Sequence, residues 1–330
     1  MSTKKLIKSD EKTIQIKALT YNLSWASQKN IVAGSEADFV ERCQELGRDC
    51  FQEAKKLIDK LNKAHTFDII GIQEAEHPTL VQDIVSITEL KGIYRYATWH
   101  NTVNVYAGGA IFWNTKKLGK MKHCKTINLA PIDDNGNYTD SRPCGIVTTD
   151  KDINIIVAHF AWFDNRKYIQ YVQTLFNHHI SNNGPIIILA DTNDSETLIS
   201  HENPLIIKNR NLSYGLSKND AKTKLKSCCW HKTKQQSTAG VPYSGYKHFN
   251  TTGDYILSER VQDIKLAINS PSNAPSVKDL YSDHLPVIAT VVINVPHIIK
   301  TVLSHSSTLK KFKSAPTLMK RISYKISSKL

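Results

Sequence analysis

Residues 185–190, PIIILA, are the longest unbroken apolar run of the chain, and the run stops at Asp191. Spanning a bilayer takes about 20 apolar residues, so no stretch here is long enough. Isoleucine branches at Cβ, which disfavours helix and suits a pleated sheet. A strand with no polar alternation has both faces covered. INIIVAHFAW (153–162) reads the same way. A chain that must cover both faces of several strands folds as layered α/β structure, with helices outside the sheets.

The remaining pattern supplies those helices and further strands. SEADFVERCQELGRDCFQEAKKLIDKLNKA (35–64) predicts the longest helix, with Ser35 and Asp38 as a capping box and one stripe of Phe39, Cys43, Leu46, Cys50, Ala54, Leu57 and Leu61. A second helix is expected from Pro78 to about Leu90. A third spans 164–181, capped by Asp164, with Tyr168, Val172, Leu175 and Ile180 inward. Strands are expected at 16–25, 67–75, 106–114, 144–150, 153–162, 185–194, 253–259 and 285–293. Residues 208–252 are polar and turn-rich, and KNDAKTKLKSCCWHKTKQQST (218–238) reads as a surface insertion. No internal repeat is visible.

Charge divides the chain into a body and two ends. The net charge is +13, but residues 297–330 hold eight Lys or Arg and no acid, and residues 1–17 hold five Lys against Asp10 and Glu11. The body is therefore near neutral. We expect a basic N-terminal extension (1–13), one domain (14–296) and a basic tail (297–330) that is either disordered or an amphipathic segment ordering on a partner. Basic ends favour polyanions, nucleic acid or an acidic membrane surface. The N-terminus MSTKKLIKSDEK has no apolar core, so no secretory signal is expected and an intracellular place, cytoplasmic or nuclear, follows. The six cysteines show no CxxC spacing and are expected as reduced thiols, with Cys43 and Cys50 on one helix face.

Polar residues stand where the apolar runs end or begin. Asn22 follows ALTY, Glu74 follows DIIGIQ, His159 follows NIIVA, and Asp191 and Asn193 follow IIILA. Asp254 opens DYIL, and Asp283 and His284 precede LPVIATV. One such residue is an ordinary turn former. Six sites carrying only carboxylate, amide or imidazole groups point to one cleft, because ligands of layered α/β folds bind at strand ends. Oxygen donors without a cysteine cluster suit a hard cation, Mg²⁺ or Mn²⁺. A carboxylate beside it can take a proton from water, and imidazoles can donate to a developing oxyanion. No Ser-His-Asp arrangement or glycine-rich phosphate loop is visible.

YN (21–22), IQE (72–74), AH (158–159), ADTN (190–193), GDYI (253–256) and SDH (282–284) resemble, in order, the motifs of the endonuclease/exonuclease/phosphatase superfamily. The resemblance covers 14–293 and implies the deoxyribonuclease-I-like fold, a four-layer α/β sandwich of two packed mixed sheets flanked by helices. It implies Glu74 as principal metal ligand, helped by Asn22 and Asp283. Asp191 would orient or deprotonate the attacking water and Asn193 would hold the phosphate. His284 would contact the scissile phosphate with Asp254 fixing its tautomer, and His159 would be a second phosphate contact or acid. Arg142, in SRPCGIV, resembles a phosphate-binding arginine, although a surface ion pair explains it as well. The family's usual glycine before the Asp of its GDxN motif is Ala190 here, and strand 106–114 lacks the glutamate that deoxyribonuclease I itself pairs with its histidine. The expected activity is metal-dependent phosphodiester hydrolysis, on nucleic acid first. A phospholipid or inositol phosphate substrate and a non-catalytic binding module are the alternatives.

Overall fold

The computed structural model describes residues 11–24, 47, 49–75, 77–99, 106–132, 136, 139, 141–161, 166–193, 199–227, 231–236, 242–247, 252–268, 282 and 284–296. In chain order the strands are β1 (Glu11–Asn22), β2 (Ile69–Gln73), β3 (Gly92–Trp99), β4 (Tyr106–Trp113), β5 (Met121–Asn128), β6 (Pro143–Thr149), β7 (Asn154–His159) and β8 (Ile186–Asp191). They continue with β9 (Leu205–Ile207), β10 (Arg210–Leu212), β11 (His231–Gln236), β12 (Pro242–Lys247), β13 (Asp254–Leu257), β14 (Val261–Leu266) and β15 (Val287–Pro296). The helices are α1 (Cys50–His65), α2 (Leu80–Thr88), the short α3 (Thr115–Leu118), α4 (Arg166–His179) and α5 (Lys218–Lys224).

Two mixed sheets carry the architecture. One has the order β14-β15-β1-β2-β4-β3 and the other β13-β8-β7-β6-β5. Their inner faces share one core, in which Ile16, Ala18 and Ile69 of the first sheet meet Ile155, Val157, Ile187 and Leu189 of the second. The outer face of the first sheet, with Leu19, Ile70 and Ile72, is covered by α1 and α2. Helix α4 covers the second sheet through Tyr168, Ile169, Val172 and Phe176. The result is helix, sheet, sheet, helix, the expected four-layer sandwich. Strands β2, β6, β7 and β8 are buried along their whole length, as their unbroken apolar sequences require.

Local chemistry sets the helix limits. Asp49 caps α1 by accepting the Gln52 N–H, and Cys50, Phe51, Ala54, Leu57, Ile58 and Leu61 form its buried stripe. The helix stops where Thr66 turns left-handed at φ 54°. The helix expected from Ser35 is broken: Gly47 is left-handed at φ 62° and Asp49 is an extended N-cap, so α1 starts at Cys50, while residues 35–46 and 48 lie outside the described residues. Helix α4 has Phe176 buried where the sequence reading placed Leu175, which is only partly covered, and Asp164 lies outside the described residues. Cys50 is disulfide-bonded, against the expectation of six reduced thiols; Cys124 and Cys144 are free. The expected surface insertion is partly interior. Ala221, Leu225 and Ser227 are buried, and Leu205, Ile207, Leu212 and Tyr214 before them join the main core. Among the described residues no helix is long and apolar enough to cross a membrane. The basic tail lies outside the described residues.

Candidate active site

Two parallel strand pairs bring the polar strand ends together. In the first sheet β1 and β2 run parallel, with Asn22 beside Gln73 and Glu74 one residue further on. In the second, β7 and β8 run parallel with His159 beside Asp191, and antiparallel β13 sets Asp254 opposite Asp191. Each pair therefore ends in a row of polar groups. The sheets approach closely at Gly71, where an added Cβ would lie 2.7 Å from Val157 Cγ2 and 2.8 Å from Leu189 Cβ. Gln73, fully buried, ties them by donating from Nε2 to the Leu189 carbonyl at 3.2 Å.

Across this gap the side chains converge. Asn22 Nδ2 donates to Asp191 Oδ2 at 2.8 Å and to Glu74 Oε1 at 3.0 Å, while its own Oδ1 accepts the Ser24 N–H at 2.9 Å. His284 Nδ1 donates to Asp254 Oδ2 at 2.9 Å and its Nε2 faces Asp191 Oδ2 at 3.7 Å. The carboxylate fixes the tautomer and leaves Nε2 directed into the cleft. Arg142 Nη1 donates to His159 Nε2 at 3.0 Å. A guanidinium has no acceptor, so the His159 proton sits on Nδ1, 3.9 Å from Glu74 Oε1. Burial holds the His159 pKa at about 3, with Arg142 and His284 lowering it further against the pull of Asp191, so the ring is neutral at neutral pH.

Asn22, Glu74, His159, Asp191, Asp254 and His284 thus share one cleft, and Arg142 reaches into it. Asn193 stands beside it, donating its amide to the Phe160 carbonyl at 2.8 Å and its backbone N–H to Asp191 Oδ1 at 2.9 Å. Asp283 lies outside the described residues. Ser24, Glu74 and Asn193 have φ of 58°, 54° and 49°, left-handed values that non-glycine residues adopt at a cost. Such strain gathers at functional sites.

Two supporting residues were not singled out in the sequence. Ser227, fully buried, accepts the Asp254 N–H on its Oγ at 3.0 Å, and its carbonyl accepts the Leu285 N–H at 2.8 Å. Ser282, read only as part of SDH, donates to the Asn22 carbonyl at 2.7 Å and accepts the His284 N–H at 3.2 Å. A serine within a lysine-rich stretch carries no signal of such a place.

The donor set fits a hard cation. Ligand atoms of Glu74, His159 and Asp191 lie within 4.8 Å of one another, as do those of Asp191, Asp254 and His284. Among the described residues the buried Asp254 Oδ1 has no hydrogen-bond partner. Three carboxylates this close repel one another unless positive charge lies among them.

No protein-family model matches the chain, and a search of curated proteins finds no match. Solved structures do match. An endonuclease/exonuclease/phosphatase family protein from Bacteroides thetaiotaomicron aligns at 16% identity over 87% of this chain and 98% of its own, with a TM-score of 0.50. One from Beutenbergia cavernae aligns at 11% identity over 85% of this chain and 72% of its own, with a TM-score of 0.51. ANGEL2, described as a 2',3'-cyclic phosphatase, aligns at 12% identity over 87% of this chain and 98% of its own, with a TM-score of 0.50. The chain has the fold of the endonuclease/exonuclease/phosphatase superfamily.

Proposed function

We propose that this chain is a divalent-metal-dependent phosphodiester hydrolase that acts on nucleic acid by in-line attack of water. The observation that carries the reading is the convergence of Glu74, Asp191, Asp254, His159 and His284 from in or beside the ends of separate strands of two sheets. Glu74 would be the principal holder of the cation, with Asn22 bracing its carboxylate and that of Asp191. When bound, Mg²⁺ or Mn²⁺ would polarise a phosphoryl oxygen and neutralise its charge.

The protein's own groups supply the rest. Asp191 accepts a proton from the attacking water, and the Asn22 and Asn193 hydrogen bonds hold its carboxylate in place. His284 presents Nε2 to the phosphate while Asp254 stabilises the ring as it gains charge. His159, neutral in the free protein, serves as a hydrogen-bonding contact rather than an acid, and Arg142 beside it supplies fixed positive charge. The cleft opens on the side of Glu74, whose side chain is 16% exposed against 1% for Asp191. The basic stretches 297–330 and 1–13 would add salt-sensitive, sequence-independent affinity for a polyanion. ANGEL2's cyclic phosphate chemistry on a similar scaffold is compatible with a nucleic-acid end as substrate.

The test is a substrate panel with labelled single- and double-stranded DNA and RNA. Cleavage with Mg²⁺ or Mn²⁺ that stops in EDTA is expected. Release of phosphate or headgroup from lipid substrates, with nucleic acid untouched, would replace this substrate reading.

A further inference from the structure

We propose that the outer face of the first sheet carries a second ligand site, a pocket for a nucleoside monophosphate formed by Lys17, His65, Phe67, Asp263, Lys265 and Ile288. A cavity of about 350 Å³ opens there. That is large enough for a small organic ligand, since such sites run from about 300 to 1,000 Å³. Its floor is apolar, made by Phe67 and Ile288 and backed by Ile264 and Ala289, which belong to the inter-sheet core. Its rim is charged.

The pocket exists because of an irregularity in β14. Gln262 pairs with Thr290 and Lys265 with Ile288, so Asp263 and Ile264 together face the single residue Ala289. Asp263 has φ 51°, left-handed for a non-glycine residue. Bulges of this kind bend a strand and re-aim its side chains, and they occur next to binding sites. The bulge sets Asp263 and Lys265 on the cavity, across from Lys17 of β1 and beside His65 at the end of α1.

Lys55, Lys63, Lys117 and Lys122 each hold an aspartate at 2.6–3.0 Å. Among the described residues no such ion pair involves Lys17, Lys265 or Asp263. After burial, the largest effects on His65 come from Lys265 and Lys17, which lower its proton affinity and place both ammonium groups within its field. Two ammoniums suit a phosphate dianion better than a single carboxylate. The lone carboxylate of Asp263 suits a hydrogen-bond donor such as a base amino group, and the apolar floor suits the flat face of a base.

This site is separate from the catalytic cleft. Lys17 precedes Asn22 by five residues, about 17 Å along an extended strand. Odd and even positions of β1 face opposite sides: Lys17 shares the side of Leu19, under the helices, while Ile16 and Ala18 enter the inter-sheet core. A strand held at the cleft would have to round the sheet edge to reach the pocket. A free nucleotide is the better occupant.

Isothermal titration of the full chain with AMP tests the proposal. Saturable binding is expected with Kd between about 10 μM and 1 mM, the range of weak small-ligand sites. Inorganic phosphate alone should bind at least tenfold more weakly. Replacing both lysines (Lys17→Ala with Lys265→Ala) should weaken AMP at least tenfold while leaving the melting temperature and any phosphodiester hydrolysis unchanged, because both side chains are exposed. Asp191→Ala should leave AMP binding as it is, which separates this site from the cleft. No saturable AMP binding, or equal affinity in the wild type and the double-lysine variant, would overturn the proposal.

Discussion

Replacing Gly71 by alanine tests whether the distance between the two sheets is set where the cleft needs it. The new Cβ would meet Val157 Cγ2 at 2.7 Å, Leu189 Cβ at 2.8 Å and Leu189 Cδ2 at 3.1 Å. Carbon atoms pack best at about 3.5–4.0 Å, so the sheets must part by roughly 0.7–1 Å. Val157 and Leu189 are fully buried in neighbouring strands and have nowhere to move. Overpacking of this size costs about 1–3 kcal/mol. Equilibrium urea unfolding should report that loss. Val157→Ala removes the nearest methyl and alone should cost about 2 kcal/mol through the cavity it leaves. In the double variant the two losses should overlap, with a coupling of about 1 kcal/mol or more. Turnover should fall as well, since parting the sheets stretches the Gln73–Leu189 hydrogen bond that sits beside Glu74. A Gly71→Ala protein within about 0.5 kcal/mol of wild type, or strict additivity with Val157→Ala, would refute the argument.

The site makes further predictions. Asp191→Ala and His284→Ala should each lower turnover by about two orders of magnitude or more with the circular dichroism spectrum unchanged; unaltered rates in both would remove these residues from the chemistry. Ser227→Ala leaves the buried Asp254 N–H without its acceptor. It should cost about 1–3 kcal/mol of stability and reduce kcat more than KM; a stability equal to wild type would show that another group takes the bond. His159 has its pKa depressed to about 3, so the folded state refuses a proton that the unfolded chain binds below its ordinary value near 6.5. Stability is therefore lost as pH falls from 6.5 towards 3. Between pH 6.5 and 5 in EDTA, wild type should lose about 1–2 kcal/mol more than His159→Gln. Parallel pH profiles for the two would contradict it.

The layers were legible because their cause is local. Runs such as IIGIQ and IIILAD cannot be half-exposed, and the structure buries them throughout. The clefted end was legible because polar residues interrupt those runs at the point where parallel strands stop, as Asn22 and Asp191 do. Edge strands escaped notice for the opposite reason. In β5 the first five residues, MKHCK, are exposed, so nothing apolar marks the strand. The left-handed turns at Ser24, Glu74 and Asn193 were equally silent, since no glycine announces them. Ser227 was hidden because its partners are distant in the chain, Asp254 being 27 residues on and Leu285 further still. Arg142 was balanced between a surface ion pair and a phosphate contact; its hydrogen bond to buried His159 places it against the cleft.

What distinguishes this end of the sandwich is that it is poorly arranged for stability alone. Asp191 and Asp254 are fully buried, Glu74 lies close to Asp191, and one Asp254 oxygen has no partner among the described residues. Buried like charges oppose folding. A bound divalent cation reverses that balance, and ligand linkage gives the size: about 2.7 kcal/mol at a hundred times Kd. Glu74→Gln isolates the effect. Glu74 Oε1 accepts from Asn22, and the glutamine carbonyl can do the same, while its amide can point to the exposed side. In EDTA the variant should melt at or above the wild-type temperature, because one repulsive charge is gone and the bond from Asn22 is kept. On adding Mg²⁺ or Mn²⁺ the wild-type melting temperature should rise by several degrees and that of the variant by much less. Equal shifts in the two proteins would mean that Glu74 does not hold the cation, and the carboxylates of this cleft would need another explanation.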